Sequence, residues 1–229
     1  MTQTYQALEI WTTVDGQCVL REAIIIEAHV SYPMELADQS PFAKSVILDY
    51  INEERRNFWQ IGEWLFEDRF DPPNSSVHLN IKSELFRHSD TIASVLFTRF
   101  LLEGQGRLVN LQTFTFDLQA NKTLTLDDIF LEEVDPYPIL APIAQKGLQT
   151  LLGDTSINLI IRNTVPIPEN YQYWGLTNDS LLIFFSGYDV IGIGAAIGNT
   201  KTVEVPLSTL KDYLKPEFYP KSVANIEKP

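Results

Sequence analysis

The chain has 229 residues, 45% of them apolar, and carries a formal net charge of −13. That length and apolar share suit a globular chain with one large core or two small ones, and the acidity argues against binding nucleic acid through its phosphates, which needs clustered Lys and Arg. Cys18 is the only cysteine, so an intrachain disulfide is excluded, and its apolar setting suits a buried thiol.

The start, MTQTYQALEIW, has neither the basic nor the apolar region of a signal peptide. Ala23-Ile24-Ile25-Ile26 is far too short to span a membrane. Two compartments remain open: the cytoplasm, or an extracytoplasmic setting in which a leader or membrane anchor lies outside this sequence.

Residues 5–14 and 18–33 read as two strands joined at Asp15-Gly16, a favoured hairpin turn. Ile24, Ile26, Ala28 and Val30 share one face of the second; His29 lies on the other, as a surface histidine would. Tyr32-Pro33 closes it, since Pro has no amide for a ladder. Residues 40–66 form the best helix, with Ser40 as cap and Pro41 at the first position. Val46, Ile47, Tyr50, Ile51, Phe58, Ile61 and Leu65 make its apolar stripe. Trp59 and Trp64 suit a helix-on-sheet core better than a ligand platform. Asp71-Pro72-Pro73-Asn74 then breaks the pattern, marking a seam between an N-terminal part, 1–72, and a second part, 73–220, followed by a polar tail, 221–229, expected to be mobile.

Residues 76–87 and 91–102 alternate as strands around His88-Ser89-Asp90. Those are the residue types of a hydrolase triad, but a triad converges from different elements, so this is a turn. Glu103-Gly104-Gln105-Gly106 leads into the stretch on which the pattern centres, 106–130. There Phe114, Phe116 and Leu118 share a face, Gln119-Ala120-Asn121-Lys122 turns, Thr123 to Leu126 alternates again, and Asp127 is placed to cap a short helix. Residues 136–152 give a second helix ending at Gly153. Residues 157–161 fit helix or strand. A Pro-rich connection, 165–170, precedes two strands in 171–185 that turn at Thr177 to Ser180. Val203 and Val205 alternate as a last strand, Pro206 ends it, and Ser208 is placed to cap a short helix to Leu214.

These elements predict an α+β fold of antiparallel sheets packed by two main helices: one sheet from 76–126 and 171–206 under helix 136–152, and an N-terminal sheet under helix 40–66. Short connections favour antiparallel pairing. Phe114, Phe116, Leu118, Leu182 and Phe184 are the expected core.

Chemistry is sparsely marked. Histidines at 29, 78 and 88 have no metal-binding spacing, and no cofactor is expected. Gly192 to Gly198 has the glycines of a dinucleotide loop without its following helix. Asp127/Asp128 and Glu132/Glu133 are candidates for glycosidic chemistry, but neighbouring carboxylates at a helix start point apart.

Several segments together carry a resemblance: Tyr32-Pro33 before a helix containing Ile51-Asn52-Glu53, a three-strand meander, FTFDLQANKTLTLDDIF, and WGLTNDSLLIFFSGYDVIGIGAAIGNTKTVEVPLSTLKDYL. The chain resembles the paired DUF4163 and DUF3298 domains, closely over 112–130 and 174–214 and more loosely over 20–60. Such domains occur in the extracytoplasmic part of the anti-sigma factor RsiV, which binds lysozyme, and beside peptidoglycan deacetylases. The resemblance implies a non-catalytic binding or sensor domain of the bacterial cell envelope, with a cationic, lysozyme-like protein or peptidoglycan as partner. The alternative is a hydrolase acting on envelope carbohydrate through carboxylates. The chain departs from the family pattern at Gly104-Gln105-Gly106-Arg107 and at 186–194, both read as loops, where specificity resides. Arg107, Tyr188 and Asp189 are therefore the expected ligand-binding residues.

Overall fold

The computed structural model of the protein describes residues 2–14, 17–67, 76–103, 106–153, 156–192 and 200–220, with side chains described for 28–60, 78–101, 108–153, 156–192 and 200–220. The chain forms two compact units, each built from discontinuous stretches: Met1–Ser83 with Thr98–Asn110, and Glu84–Phe97 with Leu111–Pro229. The fold is α+β.

In the first unit, β1 (Thr2–Val14) pairs antiparallel with β2 (Gln17–Val30), with a register shift at Ile10/Trp11. The expected turn at Asp15-Gly16 lies outside the described residues, as do the Cys18 side chain and the segment 71–74. A short helix, α1 (Met34–Gln39), buries Leu36 and Ala37 ahead of α2 (Pro41–Glu67). The Ser40 hydroxyl accepts the Ala43 amide at 3.2 Å, the cap that Ser40-Pro41 predicts. Ala43, Ile47, Ile51 and Phe58 form the buried stripe. Trp59 packs its ring on Phe58 at 5.5 Å; the Trp64 side chain lies outside the described residues. Glu54 of α2 reaches Arg99, with Arg99 7% and Glu54 20% exposed.

The first strand after α2, β3 (Ser76–Arg87), joins β2 in parallel, from Ile25↔Ser76 to Val30↔Ile81. This corrects the expectation of antiparallel pairing throughout. The segment carrying α1 and α2 is long enough for a crossover, so the short-connection argument does not apply there. β4 (Ile92–Glu103), β5 (Gly106–Asp117) and β6 (Lys122–Leu124) continue the sheet in chain order, β1 to β6.

In the second unit, Asp117 accepts the amides of Gln119 and Ala120, and Asn121 takes the left-handed conformation (φ 52°) that closes the β5–β6 turn. Phe116 is fully buried, whereas Phe114 and Leu118 on the same face are half-buried. Thr115 on the opposite face is also buried. Helix α3 (Leu126–Ile129) is capped at Thr125, not at Asp127: the Asp128 carboxylate accepts the Thr125 amide at 2.7 Å and its hydroxyl at 2.8 Å. Burial works against ionising Asp128, but these bonds and Lys122 at 3.2 Å outweigh it and hold the carboxyl below its ordinary range.

Helix α4 (Pro136–Leu152) starts at Asp135, which accepts the Tyr137 amide, and stops at Gly153 (φ 68°). The ambiguous apolar run becomes α5 (Ile157–Asn163). β7 (Trp174–Leu176), β8 (Ser180–Phe185) and β9 (Lys201–Pro206) form an antiparallel sheet of their own. The expected single sheet over 76–126 and 171–206 is therefore two. The reason lies at the free edge of β7. Its Trp174 and Leu176 amides donate to the Thr113 hydroxyl (3.2 Å) and the Ser94 hydroxyl (2.9 Å), side chains of the larger sheet, so no backbone ladder forms there.

One core joins Leu181, Ile183 and Phe185 of β8 and Val203 and Val205 of β9 to Leu140, Ala144 and Leu148 of α4. The helix lies so close that a Cβ on Gly147 would stand 2.7 Å from Val203 Cγ1. Leu182 and Phe184 pack the other way, with Leu96 and Leu111. After β9 the chain makes one 3-10 turn at Leu207–Thr209 and another at Pro216–Phe218, without the longer helix expected from Ser208. The Thr209 hydroxyl bonds back to the Pro206 carbonyl, and the chain pairs with the segment after α3 through Phe130↔Leu214. The tail, 221–229, lies outside the described residues.

Candidate functional site

The segment 186–192 is not an open loop. Ser186 caps a short helix, α6 (Gly187–Ile191), by accepting the Tyr188 amide at 3.3 Å. Val190 is fully buried in the α4-side core and fixes the turn. From α5, Asn163 Nδ2 donates to the Asp189 carbonyl at 2.7 Å and to the Leu159 carbonyl at 3.0 Å. On this anchored turn Tyr188 is 60% exposed, a large ring held in solvent. Asp189 is half-buried, and burial pushes its carboxyl above the ordinary range, with Arg162 opposing. Burial, and then the Asp189 charge, push the Tyr173 phenol up.

Tyr188 and Asp189 are thus neighbours on one hydrogen-bonded turn, with Tyr173 and Arg162 within electrostatic reach of Asp189. Arg107 lies on β5 but its side chain, like residues 104–105 and 193–199, lies outside the described residues. His88 lies on the expected turn and is buried: its Nδ1 stands 2.8 Å from the Thr177 carbonyl and its ring packs near Phe218. Ser89 accepts the amides of Thr91 and Ile92, so both residues shape the turn.

Sequence reasoning missed a second feature. An open cleft of about 550 Å³ is lined by Asp127, Leu131, Glu132, Val134, Asp135, Pro136, Tyr137, Pro166 and Pro168. One member of each adjacent acid pair, Asp127 and Glu132, reaches it, while Asp128 is turned away to Thr125 and Lys122. The sequence shows only its stiff parts, Pro166 and Pro168 and the Asp135-Pro136 start of α4; that Asp127 and Glu132 join them follows from the fold alone. Among the described residues, no group of three His, Cys, Asp or Glu side chains could hold a metal ion, and no helix is long and apolar enough to cross a membrane.

Compared with solved structures, the chain superposes on a DUF3298 family protein from Pseudomonas aeruginosa with a TM-score of 0.54 and 14% identity, over 96% of both chains. The chain has the DUF3298 fold. No family model matches the sequence. Among curated proteins, the peptidoglycan-N-acetylmuramic acid deacetylase PdaC of Bacillus subtilis is 24% identical over 147 residues, 63% of this chain and 31% of the deacetylase. Immunogenic protein MPT64 of Mycobacterium tuberculosis is 28% identical over 147 residues, 62% of each chain. Esterase Rv3036c of the same organism is 23% identical over 158 residues, 69% of this chain and 66% of the esterase. The match thus spans under a third of the deacetylase and under two thirds of MPT64. The DUF3298 fold here carries two separate surface features, the Tyr188–Asp189 turn and the acidic cleft.

Proposed function

We propose that the chain is a non-catalytic binding or sensor domain of the bacterial cell envelope, with Tyr188 and Asp189 at the ligand. The DUF3298 fold and the partial match to a peptidoglycan deacetylase support the envelope setting. The observation that carries the site is the exposed Tyr188 ring on a turn pinned by Val190 and Asn163. A tyrosine on a backbone pinned in this way offers ring face and hydroxyl with only two side-chain torsions to order on binding. Peptidoglycan is the favoured ligand, a cationic, lysozyme-like protein the other, and neither needs a cofactor. Arg107 joins the site in this reading, and the domain works outside the cytoplasm.

The test is retention on insoluble peptidoglycan and on immobilised lysozyme at two salt concentrations. A Tyr188→Ala/Asp189→Ala variant that melts no lower than wild type is expected to lose retention about tenfold or more, the scale of a central aromatic anchor. Equal retention by the variant removes the turn from the site; no retention of wild type on either ligand removes the reading.

The cleft favours one alternative. Asp127 and Glu132 in a shared cleft are the residue types of a carbohydrate hydrolase. Release of soluble fragments from peptidoglycan, abolished by Asp127→Asn or Glu132→Gln, would establish that reading in place of the first.

A further inference from the structure

The small sheet has two edges, and they end differently. At the β7 edge the Trp174 and Leu176 amides donate to the Thr113 and Ser94 hydroxyls. The other edge is β9. Successive residues of an antiparallel strand direct their backbone groups to opposite neighbours. The Leu207 amide donates to the Asp179 carbonyl at 2.8 Å, and the pairing runs from Ser180↔Pro206 to Phe185↔Lys201. In that register Val203 and Val205 bond to β8, while Thr202 and Glu204 turn their amides and carbonyls outward. Among the described residues nothing bonds to those outward groups. Pro206 ends the free stretch: it has no amide, and its carbonyl accepts the Thr209 hydroxyl at 2.7 Å. Beside β9 runs an apolar row of α4. Gly147 lies against Val203, and Ile143 and Ile139, four and eight residues back on the same helical row, are half-buried.

We propose that β9 pairs antiparallel with β9 of a second copy of this chain, across a two-fold axis at Val203, so that two small sheets become one. Register and charge select this occupant. With Val203 on the axis, Thr202 stands opposite Glu204 of the second copy and Glu204 opposite Thr202 of the second copy. Each opposed pair exchanges an amide and a carbonyl in both directions, so every outward group of Thr202 and Glu204 is satisfied. A threonine hydroxyl also falls opposite each carboxylate, a favourable cross-strand pair. Charge permits the approach here. The charged residues of α4 and β9 are Lys146, Lys201 and Glu204, a formal +1 in a chain of −13. Two copies meeting on this face avoid most of their mutual repulsion, and both signs are present for self-pairing. The short free stretch, stopped by Pro206, limits the pairing to one added strand and prevents open-ended stacking. The contact is separate from Tyr188 and Asp189 and does not depend on what they bind.

The experiment is sedimentation equilibrium of the full chain from about 10 μM to about 1 mM at physiological salt, with amide hydrogen exchange followed over the same range. A dimer is expected to form within that range, and exchange at Thr202 and Glu204 to slow about tenfold or more as it does. Thr202→Pro deletes one outward donor from each copy and leaves the β8 ladder whole, since Pro is tolerated where an edge amide faces away from the sheet. It is expected to raise the dissociation constant about tenfold or more. Thr202→Ser, which keeps the amide and the hydroxyl, is expected to change it by less than about threefold. A monomer throughout the range would overturn the proposal, as would equal dimerisation by Thr202→Pro and wild type. Slow exchange at Thr202 and Glu204 at every concentration would give the edge to a segment of the same chain and overturn it too. So would dimerisation with fast exchange at both amides, which would place the contact on another face. The exchange measurement uses the unaltered protein, so it decides even if Thr202→Pro does not fold.

Discussion

The two faces of β8 are stabilised differently. On the α4 side, Leu181, Ile183 and Phe185 meet helix and strand side chains in a core closed mainly by apolar contact. On the other side, Leu182 and Phe184 meet Leu96 and Leu111, and next to them hydroxyls do the joining. The Ser94 and Thr115 hydroxyls share a bond of 2.9 Å, Ser94 accepts the Leu176 amide, and Thr113 accepts that of Trp174. Apolar packing tolerates small shifts in register, whereas a buried amide aimed at one hydroxyl does not. The α4 side is therefore expected to supply most of the stability, and the hydroxyl side to set where the small sheet sits on β4 and β5.

That division can be broken from either side. Phe185 is buried on the α4 side and meets Tyr171 edge-on at 6.5 Å. Phe185→Ala is expected to cost about 3–5 kcal/mol in urea unfolding, the largest effect here. A loss below about 1 kcal/mol would show that this face is not the main source of stability.

Ser94→Ala strips almost no apolar area, yet leaves the Leu176 amide and the Thr115 hydroxyl without their buried partner. A cost of about 1–3 kcal/mol is expected, with faster hydrogen exchange at Leu176 than at the β8 amides. A neutral result with unchanged exchange would mean that β7 is positioned by packing alone.

These hydroxyls also show where the sequence was legible. The α4 face was readable because Ile139, Leu140, Ile143, Leu148, Leu151 and Leu152 recur at helical spacing beside a strand of continuous apolar residues, although Leu151 turns out 56% exposed. The faces of β4 and β5 were not. Period two assigns Phe114, Phe116 and Leu118 to one side, and nothing in the alternation says that Thr113 and Thr115 meet a second sheet. A sheet covered on both faces hides one of them from a pattern argument. Parallel pairing of β2 with β3 was missed for a similar reason: the α1–α2 segment was read as a helix and not as a crossover. Of the candidate residues, Tyr188 and Asp189 were visible as polar residues among glycines, but not that Val190 anchors the turn that carries them. The cleft was hidden because Asp127 and Glu132 belong to different acid pairs, and only the fold brings one from each together with Pro166 and Pro168.

The α4 side also buries a phenol. Tyr171 is buried, donates its hydroxyl to the Thr164 carbonyl at 2.9 Å, and has its phenol pushed up to about 12 by burial. Tyr171→Phe is expected to cost about 1 kcal/mol at neutral pH. The folded phenol holds its proton where the unfolded one, near 10, has lost it. Wild-type stability therefore falls as pH rises from about 10 to about 12, a loss the Phe variant lacks.

The smallest effect lies where the two sides meet. Asp189 follows Tyr188 and precedes Val190, which enters the α4-side core, and its charge acts on Tyr173, which packs against the Leu182–Phe184 side. Burial raises its carboxyl above the ordinary value of 3.8 despite Arg162. Between 3.8 and the raised value the folded chain binds more protons than the unfolded one, so stability falls as pH rises through that window and the loss persists above it. Asp189→Asn removes the ionisation. The variant is expected to melt above wild type at pH 7, with the difference shrinking as pH falls and vanishing below the unfolded value. Thermal melts at pH 7 and pH 3 check this. A variant that melts below wild type at pH 7 would mean that attraction to Arg162 outweighs burial, and that the carboxylate holds α6 in place instead of being kept there for a ligand at a cost in stability.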